Sequence, residues 1–331
     1  MKILNSSSYM GRGIRLQWLV KSLVMLSLVL LVVLPGFLVG CRVTYDATQT
    51  PADSTAFPMT VTDDLGRVVT IDKAPAKIVS LAPSNTEIVF ALGLGDRLVG
   101  VTQSCNYPEE ALQKDKIGDF AQIDMERIVV IDPDLILATD IHKQDVIPGL
   151  EQLGFTVISL VPHNLDEVMA SITLIGRVTG APEEASRLVA DMSRRIEAVT
   201  AKTAGLTEAQ RPRVFYVIWH EPLMSVGTTT RIHELIEKAG GINIARFAGE
   251  GYPTLALEEV IDADPQVVVT DNDISLQFLL GEPRLGGVDA WVNGRIFGID
   301  ADIINRPTPR IVEALGWLAS LIHPEIFGPV E

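Results

Sequence analysis

The sequence predicts an α/β protein of two Rossmann-like lobes bridged by one long backbone α-helix. Three features of its 331 residues carry that expectation. The stretch from Ile123 to Ala138, IDMERIVVIDPDLILA, returns in large part more than a hundred residues later as LALEEVIDADPQVVVT. In each copy a Glu (Glu126, Glu258) opens a short helical run, and at the same spacing an Asp-Pro step (Pro133, Pro265) ends it and starts a β-branched strand. Pro cannot continue a helix and restricts the residue before it, so each copy reads as helix, turn, buried strand. Short strands alternate with helices around both copies, the pattern of mainly parallel sheets. Between the two sets runs a single amphipathic stretch long enough to brace both.

Taken in order, the chain opens with Lys2, Arg12, Arg15 and Lys21 and no acidic residue in its first forty. Leu23 to Val39 is then almost wholly apolar and ends at Leu38-Val39-Gly40-Cys41. A basic start, an apolar core at the short limit for a span and a small-residue end make residues 1–40 a signal peptide. The four closing residues resemble a bacterial lipobox, which makes Cys41 the expected lipidation site and places the body outside the cytoplasm, tethered to a membrane. Residues 41–60 have linker composition. The chain carries 42 acidic against 27 basic residues, a net charge of −15, and such a surface repels nucleic acid. With Cys41 lipidated, Cys105 has no partner among the two cysteines, so neither a disulfide framework nor a CxxC metal knuckle is expected.

The first lobe, residues 61–163, begins with a hairpin over Val61 to Ile71. Strands follow at Lys77–Leu81, Leu98–Thr102, Leu135–Thr139 and Thr156–Leu160, with a helix from about Thr86 to Leu92 that Ser84 or Asn85 can cap and whose positive end Glu87 suits. The second lobe, 211–331, repeats the scheme: strand Val214–Trp219, helix Arg231–Ala239, strands Gln266–Thr270 and Arg295–Ile299, and a last helix from Pro309 to Ile322. Residues 164–210 connect the lobes. Here Pro182 suits a first helical turn, Glu183 and Glu184 follow it, and Ala185, Leu188, Val189, Met192, Ile196 and Val199 form one apolar stripe before Gly205, the signature of an amphipathic helix. At about 1.5 Å per residue it is a rod of roughly 33 Å.

In open α/β sheets ligands bind beyond the carboxyl ends of strands. The residues there are Ser104 to Tyr107, His142, His163 and Trp219-His220, with Phe120, Tyr252 and Asp302 to Arg306 in nearby connections. Aromatic side chains among them suit a large flat or apolar ligand. No GxSxG elbow, Walker loop or HExxH is present, and Gly93-Leu94-Gly95 follows a helix where a dinucleotide site needs a strand, so no enzyme is expected.

The ordered fragments KIVSLAPSNTEIVFALGLGDRLVGVT, CNYPEEA, IGDF, MERIVVIDPDLILA, LIEKAGGINI, ALEEVIDADPQVVV and LIHPEIF resemble the periplasmic binding proteins of ABC importers for cobalamin, ferric siderophores and haem, over about Val61 to Phe327. The resemblance implies a helical-backbone binding-protein fold, a monomer with one ligand in an interlobe cleft, and no cofactor. It implies as partner a permease dimer with its ATPase subunits, docked through one Glu on each lobe; Glu126 and Glu258 match those positions. For cobalamin binders it implies cleft aromatics and a polar pair: Phe120 and Trp219 fall at or near two aromatic places, Tyr252 replaces a Trp, and Asp302 with Arg306 fits the pair. Ser104 stands where a tyrosine is expected. The ligand-binding set is therefore Ser104, Tyr107, Phe120, Trp219, His220, Tyr252, Asp302 and Arg306, and the ligand a corrinoid or ferric chelate, cobalamin foremost. Two other readings are a Zn²⁺ or Mn²⁺ site of His142, His163 and His220, as in related metal importers, and haem held by an axial His or Tyr.

Overall fold

The computed structural model describes residues 56–329; the signal peptide, Cys41 and most of the linker lie outside them. Strands β1 (Met59–Thr62) and β2 (Val68–Ile71) form the expected antiparallel hairpin, begun two residues inside the expected linker. The buried Asp63 at its turn accepts Leu65 N–H and Arg67 N–H with one carboxylate oxygen and Ser159 N–H with the other, which fastens the hairpin to the first sheet.

That sheet is built from β3 (Ile78–Ser80), α1 (Pro83–Ala91), β4 (Leu98–Val101), α2 (Met125–Ile131), β5 (Leu135–Ala138), α3 (Val146–Gln152) and β6 (Val157–Ser159). Its strands are all parallel in the order β4-β3-β5-β6. Two helices follow, α4 (Leu165–Thr179) and α5 (Pro182–Thr203). The remainder comprises β7 (Arg213–Val217), a small ribbon of β8 (Trp219–His220) and β9 (Leu223–Met224), α6 (Arg231–Lys238), β10 (Ile242–Asn243), α7 (Leu257–Ala263), β11 (Val267–Thr270), α8 (Asp273–Gly281), α9 (Asp289–Val292), β12 (Ile296–Gly298), α10 (Ala301–Asn305), α11 (Ile311–Ile322) and α12 (Pro324–Phe327). The second sheet, order β10-β7-β11-β12, is also parallel. In both sheets the chain lays its second strand on one side of the first and then crosses to the other, so the two lobes share one topology. The central strands LILA and VVVT are buried at every position, as strands covered by helices on both faces must be.

The repeat has a common backbone device. Asp132 and Asp264, each just before its Pro, adopt the left-handed conformation (φ 52° and 45°) and are the only non-glycine residues to do so among those described. Asp tolerates this geometry better than most side chains, so the helix reverses within one residue and the strand starts at once.

Helix α5 has the 22 residues expected of it. Its buried Ala185, Met192 and Val199 join a core that runs from Ile78 and Leu135 of the first sheet to Val214 and Val267 of the second. Against α4 it packs so closely that a Cβ on Gly176 would stand 2.4 Å from that of Ala185. The two lobes therefore share one apolar layer on this side, while separate clusters cover the far face of each sheet.

Helix starts are where the sequence reading errs. Helix α1 begins at Pro83, with extended Ala82 as its cap residue, rather than at Thr86. Ser84 and Asn85 thus lie inside the helix, and Asn85 donates to the Ala138 carbonyl instead of capping. The last long helix starts at Ile311, not Pro309. Cys105 is buried and takes part in hydrogen bonds with the hydroxyls of Thr86 and Thr102.

Candidate ligand cleft

Where a parallel sheet reverses the direction in which strands are added, the two connections diverge and leave a crevice at the carboxyl ends. In the first sheet that point lies between β3 and β5, followed by Ala82 to Ser84 and by Thr139-Asp140. In the second it lies between β7 and β11, followed by Ile218 and Asp271. All of these residues line two adjoining cavities, one of about 510 Å³ and one of about 610 Å³. His163, Arg231, Tyr252 and Asn305 belong to both, which makes them two chambers of one cleft walled by both lobes. Each is within the size range of small-molecule sites.

Several residues singled out from the sequence meet here. Ser104, Phe120, Tyr252 and Arg306 line the smaller chamber. Tyr252 is 60% exposed, an aromatic surface uncovered at the cleft. Phe120 packs edge-on against His142 at 5.7 Å. His142 is itself 1% exposed; its Nδ1 accepts from Thr139 N–H at 3.2 Å and its Nε2 lies 2.9 Å from the Phe120 carbonyl. That pairing requires the neutral tautomer with its proton on Nε2, and burial holds the imidazole below the ordinary histidine range.

Others are placed elsewhere. Trp219 donates its indole N–H to the Glu221 carbonyl and tilts against His220, which rests on Phe278 and approaches Ser275 Oγ of α8. Neither Trp219 nor His220 lines a chamber: the indole is held to Glu221 and His220, and the His220 ring faces α8. Tyr107 lies against the Arg310 guanidinium at 3.8 Å and faces a different cavity, of about 590 Å³, beside Leu188 and Met192 of α5. Asp302 lines neither chamber; it pairs with Arg306 at 2.6 Å and accepts from Asn106 of the first lobe at 2.7 Å. The histidines do not assemble a metal site. His142 has both ring nitrogens engaged with the main chain, His163 is in the cleft, and His220 of β8 packs against α8; no group of three His, Cys, Asp or Glu suited to a metal ion occurs among the described residues.

The sequence reading missed two residues of consequence. Glu87, assigned to the helix dipole, has a side chain only 2% exposed and is bonded to Arg306 and Arg310 of the second lobe. Arg231, read only as the start of a helix, stands where both chambers meet. Glu126 and Glu258 each occupy the second position of the first turn of α2 and α7 and are exposed. Capping falls to their neighbours: Asp124 accepts Arg127 N–H, and Glu259 accepts Ala256 N–H.

Residues 78–303 match the family model described as periplasmic binding protein. An ABC transporter substrate-binding lipoprotein of Bacillus subtilis, YvrC, is 31% identical over 297 residues, 88% of this chain and 94% of that protein. A vitamin B12-binding protein of Vibrio cholerae is 30% identical over 240 residues, covering 72% of this chain and 86% of its own. Among solved structures, the periplasmic haem-binding protein RhuT of Roseiflexus sp. RS-1 superposes with a TM-score of 0.67 at 28% identity, over 75% of this chain and 97% of that one.

Proposed function

The chain belongs to the periplasmic binding protein family and is the solute-binding component of an ABC importer, and from that premise we propose that its solute is a corrinoid or an iron chelate, cobalamin foremost. The observation that carries this is the two-chambered cleft at the switch points of both sheets, with the uncovered ring of Tyr252 on its wall. Phe120, Ser104 and Arg306 complete the smaller chamber. The likeness to a vitamin B12-binding protein supports cobalamin, and Ser104 in place of a tyrosine marks a rearranged contact. Haem is the second reading, favoured by His163 and Tyr252, the two side chains of axial-ligand type that line both chambers. Glu126 and Glu258 dock the two lobes on the permease dimer.

The test is the visible absorption spectrum of protein exported by its own host, followed by titration of the emptied protein with cyanocobalamin and with haemin. A corrinoid or haem spectrum that returns on titration is expected; a colourless protein that binds neither overturns the assignment. Anchoring rests on Cys41. Cys41→Ala moves the protein from the membrane to the soluble fraction, and an unmodified N-terminus in the parent refutes it.

A further inference from the structure

Two guanidinium groups line the cleft, and they differ in how their charge is met. Arg306 is neutralised by Glu87 at 3.0 Å and by Asp302 at 2.6 Å. Among the described residues Arg231 has no such partner. Its Nη1 donates to the Pro162 carbonyl in the first lobe and its Nη2 to the Asn305 carbonyl in the second, at 2.9 Å, and its buried Nε–H has no hydrogen-bond partner. A guanidinium has five N–H donors; two are spent on main-chain oxygens that carry no formal charge. The carboxylates around it, Asp140, Glu167 and Glu234, act on it without a bond, and Asp271 of the larger chamber is bonded to Asn305 instead.

A largely buried, unpaired cation is costly unless something supplies the opposite charge. In a chain of net charge −15 the carboxylates for an internal ion pair are plentiful, yet none is used here. The two carbonyl bonds hold the guanidinium across the junction of the chambers, where a molecule filling either one meets it. We propose that Arg231 is the anion-recognition residue of the cleft, and that the solute carries a carboxylate or phosphate which becomes its counter-ion. This rests on the solute reading above and sharpens it: a macrocycle is selected by its acidic substituent as well as by its flat face.

The experiment uses two pairs of probes, one member of each carrying an anionic group that the other lacks. Cyanocobalamin bears a phosphodiester that dicyanocobinamide lacks, and haem bears two propionates that its dimethyl ester masks. Each is titrated by absorbance and tryptophan fluorescence into the parent, Arg231→Gln and Arg231→Lys. In at least one pair the parent binds the anionic member about tenfold or more tighter, as for a charge-assisted hydrogen bond. That preference, taken as the ratio of the two affinities within one protein so that any general loss of binding cancels, collapses in Arg231→Gln and survives in part in Arg231→Lys. The pair that responds identifies phosphate or carboxylate as the source. If Arg231→Gln does not fold, the parent's preference and its weakening in Arg231→Lys decide. Equal binding of both members by the parent, or a preference that persists in Arg231→Gln, overturns the role of Arg231 and leaves the solute reading intact. Failure of all four probes to bind the parent overturns the corrinoid and haem readings and, with them, the role of Arg231.

Discussion

Arg310 grips Glu87 with two bonds, Nε to one carboxylate oxygen and Nη2 to the other, both at 2.8 Å. Arg306 adds a third, Nη1 to Oε1 at 3.0 Å. The carboxylate comes from the first lobe and both cations from the second, so the cluster is an ionic clasp beside the cleft. Removing one partner of a buried pair leaves the other charge uncompensated, at a cost of about 3–5 kcal/mol. Glu87→Ala therefore lowers the unfolding free energy by roughly that amount, measured by urea denaturation at pH 7. A loss within the range of an ordinary surface substitution would show that the clasp does not hold the lobes.

Tyr252→Ala weakens solute binding by about 2 kcal/mol, near thirtyfold, as for an aromatic anchor in a desolvated site. Trp219→Ala stays within about threefold of the parent, because the indole is bonded to Glu221 and directed at His220 rather than at either chamber. Fluorescence or absorbance titration separates the two, and equal losses would contradict this placement.

Charge reversal at Glu126 and Glu258 dissociates binding from transport. Both are exposed and neither caps its helix, so Glu126→Lys and Glu258→Lys leave affinity within about twofold. Uptake falls with each change and is abolished by both together, since like charges brought together at an interface cost several kcal/mol. Normal uptake by the double variant would remove these residues from the docking surface.

His142 makes stability depend on pH. Burial keeps its folded-state pKa below the unfolded value of about 6.5, so the unfolded chain takes up the proton first as pH falls. Its contribution is complete above about pH 6.5 and declines below it, ending once the pH passes the depressed folded value. His233, also held low chiefly by burial, acts with the same sign. His142→Gln should flatten, without abolishing, the fall in urea midpoint between about pH 7 and 5; an unchanged slope would mean that His142 takes up its proton as readily in the folded protein as in the unfolded chain.

Features under the control of short-range geometry are readable from the order of residues alone. The helix, Asp-Pro turn and strand of the repeat were legible because Pro forbids continuation of the helix, and the long α5 was legible because Pro182 sets its start and one apolar stripe its face. From such elements came the two parallel lobes, the bridge between them, the strand end that carries Ser104 and the nearby connections that carry Phe120 and Tyr252. Direction across space was not legible. Glu87 in a first turn looks like any carboxylate favoured by the helix dipole, until Arg306 and Arg310 arrive from more than two hundred residues away. Tyr107 follows the end of a strand as a cleft residue should, but the same Arg310 holds its ring over another cavity. Arg231 begins its helix in a way no motif distinguishes; only the meeting of Pro162 and Asn305 around its guanidinium makes it part of the cleft. Local rules fix φ, ψ and periodicity, whereas the partner of a charge is chosen by packing between segments far apart in the chain.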